Sequence, residues 1–387
     1  MRVLVTGGAG FIGSSLVKSL KKHGHEVTVI DALTAQIHGD AAQARQLLQR
    51  DAGWAGVVFE HADVRDPTVL ERLLADTDAV VHLAAETGTG QSMYRIAHYY
   101  DVNVQATAAL LEAIALRHRH VRRIVLASSR AVYGEGAYRD PAGTLLCPEP
   151  RPAERMRAGQ FEPLGANGEA LSLTATPESL PPKPASVYAA TKLANETLGK
   201  VLAEAHGIAV TALRFQNVYG AGQSLQNPYT GILSIFSNRM RQGLGVNIFE
   251  DGLESRDFVH VGDAVRAIEL ALGATASRPA NFSVLNIGSG TPTSVMEVAS
   301  LLRGLLGSKS ELRVSGDFRA GDIRHCYADL SLARRLIDFA PRMNLEQGLR
   351  EFCAWTLEQP IFTDQSEQAQ GELDRLGLGR TAPGTRC

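Results

Sequence analysis

Cysteine is scarce in this chain: Cys147, Cys326, Cys353 and Cys387 are the only four in 387 residues. No two stand at the C-x-x-C spacing of a zinc or redox site, so no metal centre is expected. A chain of this length can bury enough core to fold without disulfides, which makes a reducing compartment the expectation. Charge of one sign is also missing. The 39 Lys+Arg and 41 Asp+Glu leave a net charge of −2, which argues against binding to nucleic acid or a membrane surface through bulk charge. No apolar run approaches the roughly 18 residues of a membrane span. The N-terminus shows no signal peptide, because Met1 and Arg2 lead straight into the strand-like Val3-Leu4-Val5. A soluble cytoplasmic protein is expected.

What the chain has in plenty is glycine, 37 residues, as if backbone must pass close to something at many turns. The first half alternates short apolar strands (3–5, 26–30, 57–60, 79–83, 123–126) with amphipathic helices (11–23, 67–75, 102–116). This is the pattern of βαβ units around a buried, doubly wound parallel sheet. The second half is also α/β but less regular, with helices over 187–206, 231–242, 261–273 and 294–306 and strands over 209–214, 245–248 and 281–287. The expected division is a dinucleotide-binding domain over 1–220, a substrate-binding region over 221–363 and a mobile tail over 364–387. Residues 139–185 hold nine of the sixteen prolines. They read as a long irregular insertion that folds over the site or packs at its edge.

The strongest local signal is Val3-Leu4-Val5-Thr6-Gly7-Gly8-Ala9-Gly10-Phe11-Ile12-Gly13, a buried strand running through three glycines at i, i+3 and i+6 into a helix. A Gly-rich turn alone is also an ordinary way to make a tight βα connection. The strand–loop–helix context is what points to a pyrophosphate held by backbone N–H groups at a helix N-terminus. Gly7, Gly10, Phe11, Ile12 and Gly13 are the candidate cradle. Asp31 ends the second strand, where a carboxylate accepts both ribose hydroxyls of NAD and repels a 2′-phosphate, so NAD is preferred to NADP. Asp63 and Val64, after the third strand, are candidates for the adenine amino group; a plain turn aspartate is the competing reading.

Tyr188 and Lys192 stand at i and i+4 of one helix and share a face. An ammonium near a phenol favours the phenolate, which can take the proton of a sugar or alcohol hydroxyl as hydride leaves the same carbon. This spacing is common by chance and gains weight only from a hydroxyl partner. Leu126-Ala127-Ser128-Ser129 supplies one at the C-terminal end of a parallel strand, where ligands bind in open α/β sheets.

Taken in order, Thr6–Gly13, Leu83-Ala84-Ala85, Ser128–Gly134, Tyr188–Lys192, Arg214–Gly220, Arg256–Val261 and Asn286–Gly290 resemble the extended short-chain dehydrogenase/reductases, and among them the nucleotide-sugar epimerases and dehydratases. The resemblance covers about residues 1–355 and is strongest to the dTDP-L-rhamnose 4-epimerase-like branch. It implies a Rossmann-type sheet with a smaller, less regular α/β C-terminal substrate domain. It also implies Ser129 as catalytic hydroxyl, Tyr188 as base and Lys192 as its activator, with Leu83, Ala84 and Ala85 along the cofactor. Asn103 would support the lysine through water. Thr87 would line the sugar pocket, and Asn217, Arg256 and Arg324 would touch the nucleotide diphosphate. A homodimer packed through the helices around 102–116 and 187–206 is implied as well.

The related 4,6-dehydratases carry Asp-Glu after the catalytic hydroxyl to eliminate water. Here Arg130 and Ala131 stand there, and neither moves a proton. The expected activity is therefore an NAD-dependent 4-epimerase acting on a (d)TDP- or UDP-linked hexose or 6-deoxyhexose. The alternatives are a 4,6-dehydratase or net dehydrogenase on the same fold, or a dinucleotide-sensing regulatory protein.

Overall fold

The computed structural model describes residues 1–227, 229, 231–274, 281–319 and 322–376. Seven strands form one sheet in the spatial order Phe282–Ile287, Ala209–Phe215, Arg123–Ser129, Ala79–His82, Arg2–Thr6, Glu26–Asp31, Val58–His61, and every neighbouring pair is parallel. Strand order reverses beside Arg2–Thr6, and at that switch point the carboxyl ends of the strands diverge into a crevice. The strands are apolar because both faces are covered. Helices Phe11–Lys22 and Val261–Gly273 seal one face through Leu16, Val17, Leu20, Ala264 and Ile268. Helices Pro67–Leu74, Ala106–Leu116 and Val187–His206 seal the other through Leu70, Leu110, Ile114 and Leu202.

The boundary expected at 220 is not a clean cut. The chain leaves the sheet after Phe215 and returns to it as its edge strand Phe282–Ile287, in register with Val210–Phe215. Between and after these passages it builds a smaller lobe around Phe236, Ile248, Phe258, Leu302 and Phe352. In that lobe Ser255–His260 pairs with Asn217–Tyr219, Pro292–Ser294 and His325–Cys326.

Two further expectations change. The 139–185 insertion is folded: Tyr138–Arg139 pairs antiparallel with Leu145–Leu146 and Ser172–Leu173, and a short helix spans Ala153–Arg157. Arg151 anchors it with a two-pronged bond to Glu250, 2.8 Å on each arm, and with bonds to the Phe161 and Asp322 carbonyls. The expected mobile tail contains an ordered helix, Ser366–Arg375. Its apolar residues are too few to announce themselves in sequence, but Ala369 and Leu373 are buried by docking. Residues 377–387, including Cys387, lie outside the described residues.

Candidate active site

A cavity of about 620 Å³ opens at the carboxyl ends of the central strands. Its floor is the glycine turn. Gly7 adopts φ +69°, a left-handed conformation in which a side chain is strained, and a Cβ there would stand 2.7 Å from the Ala84 nitrogen. At Gly13 a Cβ would stand 2.3 Å from the Gly7 carbonyl oxygen, so only hydrogen lets the helix start this close to the strand. Helix Phe11–Lys22 has no side-chain cap and no acidic residue in its first turn. Its first N–H groups and dipole are thus available to an anion. Asp31 ends its strand beside this turn, accepts from the Ala9 and Leu33 amides at 2.9 Å each, and lines the cavity. The bare helix terminus and the glycine cradle fit a dinucleotide pyrophosphate, and Asp31 fits the adjoining ribose.

Gly7, Gly10, Phe11, Ile12, Gly13, Asp63, Val64, Leu83, Ala84, Ala85, Thr87 and Asn217 all border the same cavity, as do Ser129, Tyr188 and Lys192. Asp63 is held by both arms of Arg65, which keeps its carboxyl below the usual range.

Ser129 is the last residue of strand Arg123–Ser129, and its hydroxyl caps the turn that follows by accepting from the Ala131 amide. Tyr188 and Lys192 sit in the first turns of helix Val187–His206. Ser186 caps that helix by accepting from Ala189, and Gly207 ends it at φ 68°. The Lys192 ammonium donates to the Ala127 carbonyl at 3.0 Å and lies 5.8 Å from the centre of the Tyr188 ring. Burial pushes the ammonium down to about 8. Burial raises the Tyr188 phenol, while its bond to the Ser129 hydroxyl and the charge of Arg130 pull it back down. Arg130 lines the cavity and bears electrostatically on the phenol, a role that its position after Ser129 did not disclose.

Beneath these residues lies a buried polar frame. Glu196 accepts from Ser128 and, at 2.9 and 2.7 Å, from Arg214, whose guanidinium covers the Tyr133 ring. The frame ties the end of the Ser129 strand to the Tyr188 helix.

Three residues expected at the site do not border the cavity. Asn103 is buried behind the cavity wall, donating to Thr191 Oγ1 at 3.0 Å and exchanging bonds with the Glu86 backbone; it pins the loop after Ala85 to the Tyr188 helix. Arg256 does not border the cavity. Its guanidinium is spent on the carbonyls of Ser255, Ile323 and Arg324. Arg324 is 1% exposed and sits among carboxylates, 2.7 Å from Asp251, 3.0 Å from Glu250 and 2.6 Å from Glu162. Removing either guanidinium from water demands close partners, and the acidic 250–254 turn and the insertion supply them to Arg324. Residues that sequence reasoning passed over include His98, which lines the cavity 3.1 Å from Glu86, and Tyr229.

The residues around this cavity match a known family model. Residues 3–154 and 162–288 fit the model described as the NAD dependent epimerase/dehydratase family. This chain belongs to that family. It is 38% identical over 360 residues to a dTDP-L-rhamnose 4-epimerase of Burkholderia thailandensis, covering 92% of this chain and 95% of the relative. It is 30% identical over 362 residues to a dTDP-glucose 4,6-dehydratase of Actinoplanes, covering 92% and 97%. Among solved structures, the UDP-glucuronic acid 4-epimerase of Bacillus cereus in complex with UDP-glucuronic acid and NAD superposes with a TM-score of 0.74 at 27% identity, covering 92% and 99%. Family membership fits the doubly wound sheet and the glycine turn; the relatives include both epimerases and a dehydratase, so the choice between those reactions falls to the site.

Proposed function

We propose that this protein is an NAD-dependent nucleotide-sugar 4-epimerase of carbohydrate biosynthesis. The observation that carries the reading is the meeting, in one cavity, of the glycine cradle with Ser129 and Tyr188, followed by Arg130 and Ala131 where elimination would need an acid and a base. Among the described residues the lining carboxylates are Asp31, Asp63 and Glu86. The first two belong to the cofactor end in this reading, and Glu86 is paired with His98. The relatives that act on dTDP- and UDP-linked sugars support a (d)TDP- or UDP-linked hexose or 6-deoxyhexose as substrate.

Gly7, Gly10 and Gly13 with the first turn of helix Phe11–Lys22 would hold the NAD pyrophosphate, and Asp31 the ribose. Bound NAD supplies a reversible hydride acceptor. Tyr188 takes the proton of the C4 hydroxyl, and Ser129 bonds the same oxygen so that the proton has a path as the carbonyl forms. Arg130 and Lys192 favour the phenolate in this step. The 4-keto sugar turns, C4 regains hydrogen on its other face, and Tyr188 returns its proton to the oxygen. Nothing is consumed, which suits a site with one proton-transfer residue. Thr87 and Asn217, which border the cavity, would lie along the sugar nucleotide.

The same reading makes the protein a cytoplasmic homodimer. No helix among the described residues is long and apolar enough to cross a membrane. Leu116 and Val201, each 59% exposed, sit on the two helices that would pair. The test is product analysis by NMR after incubation with dTDP-, UDP- and GDP-hexoses while absorbance at 340 nm is followed. Inversion at C4 with no NADH accumulation is expected; stoichiometric NADH or loss of water overturns the reading.

A further inference from the structure

A ten-residue helix is too short to persist alone in water, and Ser366–Arg375 carries a glycine in its middle. Its order comes from what it touches: Tyr229, which lines the cavity, and Tyr94, on the segment that continues one cavity wall. Glu372 Oε2 accepts hydrogen bonds from two phenols, Tyr94 at 3.0 Å and Tyr229 at 2.5 Å, whose hydroxyls lie 3.4 Å apart. Leu373 is buried against the turn at Gly90, where an added Cβ would meet it at 3.4 Å. Midway along the helix Gln370 accepts from Arg319, whose guanidinium stacks on Phe249, and at its start Arg239 binds Asp364 and Ser366.

Tyr229 borders the cavity, whereas Tyr94 stands just beyond it on the segment that continues another part of its wall. Tyr94 follows the short helix Thr89–Ser92, whose approach, Glu86–Thr89, lines the cavity. That helix also receives the catalytic helix: Ser92 Oγ accepts from the Tyr188 amide at 3.1 Å. Tyr229 lines the cavity from a different segment, together with Gln223, Ser224 and Ile232. It presses on the first wall, since a Cβ on Gly88 would stand 3.2 Å from the Tyr229 Cβ. Burial raises both phenols and the two bonds lower Glu372, which keeps the phenols as neutral donors to an ionised acceptor.

We propose that helix Ser366–Arg375 is a working part of the nucleotide-sugar site, in which Glu372 acts as a positioning residue that clamps Tyr94 and Tyr229 and so fixes the spacing of the two walls that receive the sugar. This rests on the nucleotide-sugar reading above. Charge-assisted bonds to a carboxylate are the strong ones, and losing both frees each wall to sample wider positions before substrate binds.

The experiment uses the full-length, NAD-loaded protein and whichever dTDP-, UDP- or GDP-hexose it turns over. Glu372→Ala is expected to raise KM about tenfold, the effect of losing one net charged hydrogen bond, while kcat stays within about twofold and bound NAD is unchanged. Glu372→Asp should restore part of the affinity. Tyr94→Phe with Tyr229→Phe should raise KM similarly and add little on top of Glu372→Ala, because the three act as one unit. Leu373→Asp, which lifts the helix by a different route, should reproduce the KM effect. An unchanged KM in both Glu372→Ala and Leu373→Asp overturns the inference and leaves the epimerase reading standing. A loss of kcat together with bound NAD, without a KM change, also overturns it, because the helix would then merely hold the fold together. A parent enzyme that turns over no nucleotide sugar overturns both.

Discussion

Substitution of Gly13 by alanine tests the phosphate cradle with a magnitude that the backbone dictates. The new methyl would lie 2.3 Å from the Gly7 carbonyl oxygen and 2.7 Å from the Gly8 Cα. These are backbone atoms that cannot rotate away, so the helix start must retreat by about 1 Å to reach ordinary contact. Overpacking of this kind costs about 3 kcal/mol at its upper range. If that cost falls on the bound geometry, it weakens NAD roughly 150-fold. At an NAD concentration near 100 times the parent Kd, the parent gains about 2.7 kcal/mol from the ligand, whereas the variant gains about 0.3 kcal/mol. With unfolding entropy near 2.1 cal/mol/K per residue over 387 residues, the NAD-induced rise in Tm should be about 3 °C in the parent and under about 1 °C in the variant. Differential scanning fluorimetry with and without NAD reads this directly, and the unliganded midpoint separates lost binding from lost stability. Gly304→Ala is the control: nothing lies within 4 Å of its added Cβ in helix Val295–Leu305, so it should leave the NAD response alone and stabilise by about 0.5–1 kcal/mol. A Gly13→Ala protein with the parent's full NAD-induced shift would show that the turn is a tight βα connection and no phosphate site.

Four more outcomes are expected. Asp31→Ala should weaken NAD and relax discrimination against NADP in a titration of both; equal affinities before and after contradict the ribose role. Tyr188→Phe should lower kcat by about two to four orders of magnitude while bound NAD, measured after denaturing release, stays at the parent level. Arg130→Met removes a positive charge that pulls the Tyr188 phenol down, so the rising limb of the kcat/KM pH profile should move to higher pH; Arg130→Lys should keep it closer to the parent, and an unmoved limb in Arg130→Met would remove arginine from the mechanism. Glu196→Ala leaves the Arg214 guanidinium buried and unpaired, since both side chains are almost wholly enclosed. It should cost about 3–5 kcal/mol in denaturant unfolding, and a loss under about 1 kcal/mol would mean that the frame relaxes around the charge.

Much of the cofactor side was legible because its signals are local. A strand that ends in Gly7, a helix that begins after Gly10, and an aspartate closing the second strand each depend on residues next to them in the chain. The i, i+4 placement of Tyr188 and Lys192 follows from helix geometry alone. The electrostatics were less legible: the lysine's bearing on the phenol was expected from its spacing, and the structure adds the Ser129 hydroxyl and a second positive charge, Arg130, delivered by the turn after Ser129, which both act against the rise that burial causes. Arg256 and Arg324 were read from motif position as diphosphate ligands. In the structure Arg324 is paired with Glu162 and Glu250, 162 and 74 residues away, and no local pattern announces such pairs.

The sequence by itself determined the alternation of strand and helix, the glycine turn and the chemistry that its hydroxyl, phenol and ammonium can perform, because short-range sterics and hydrogen bonding decide those. Tertiary structure alone decided that Phe282–Ile287 returns to close the sheet, that Arg151 and Glu250 fasten the proline-rich insertion, and that a polar tail forms a helix against Tyr94 and Tyr229. Each of these joins segments far apart in the chain, and a buried charge or a short helix becomes stable only when folding delivers its partner.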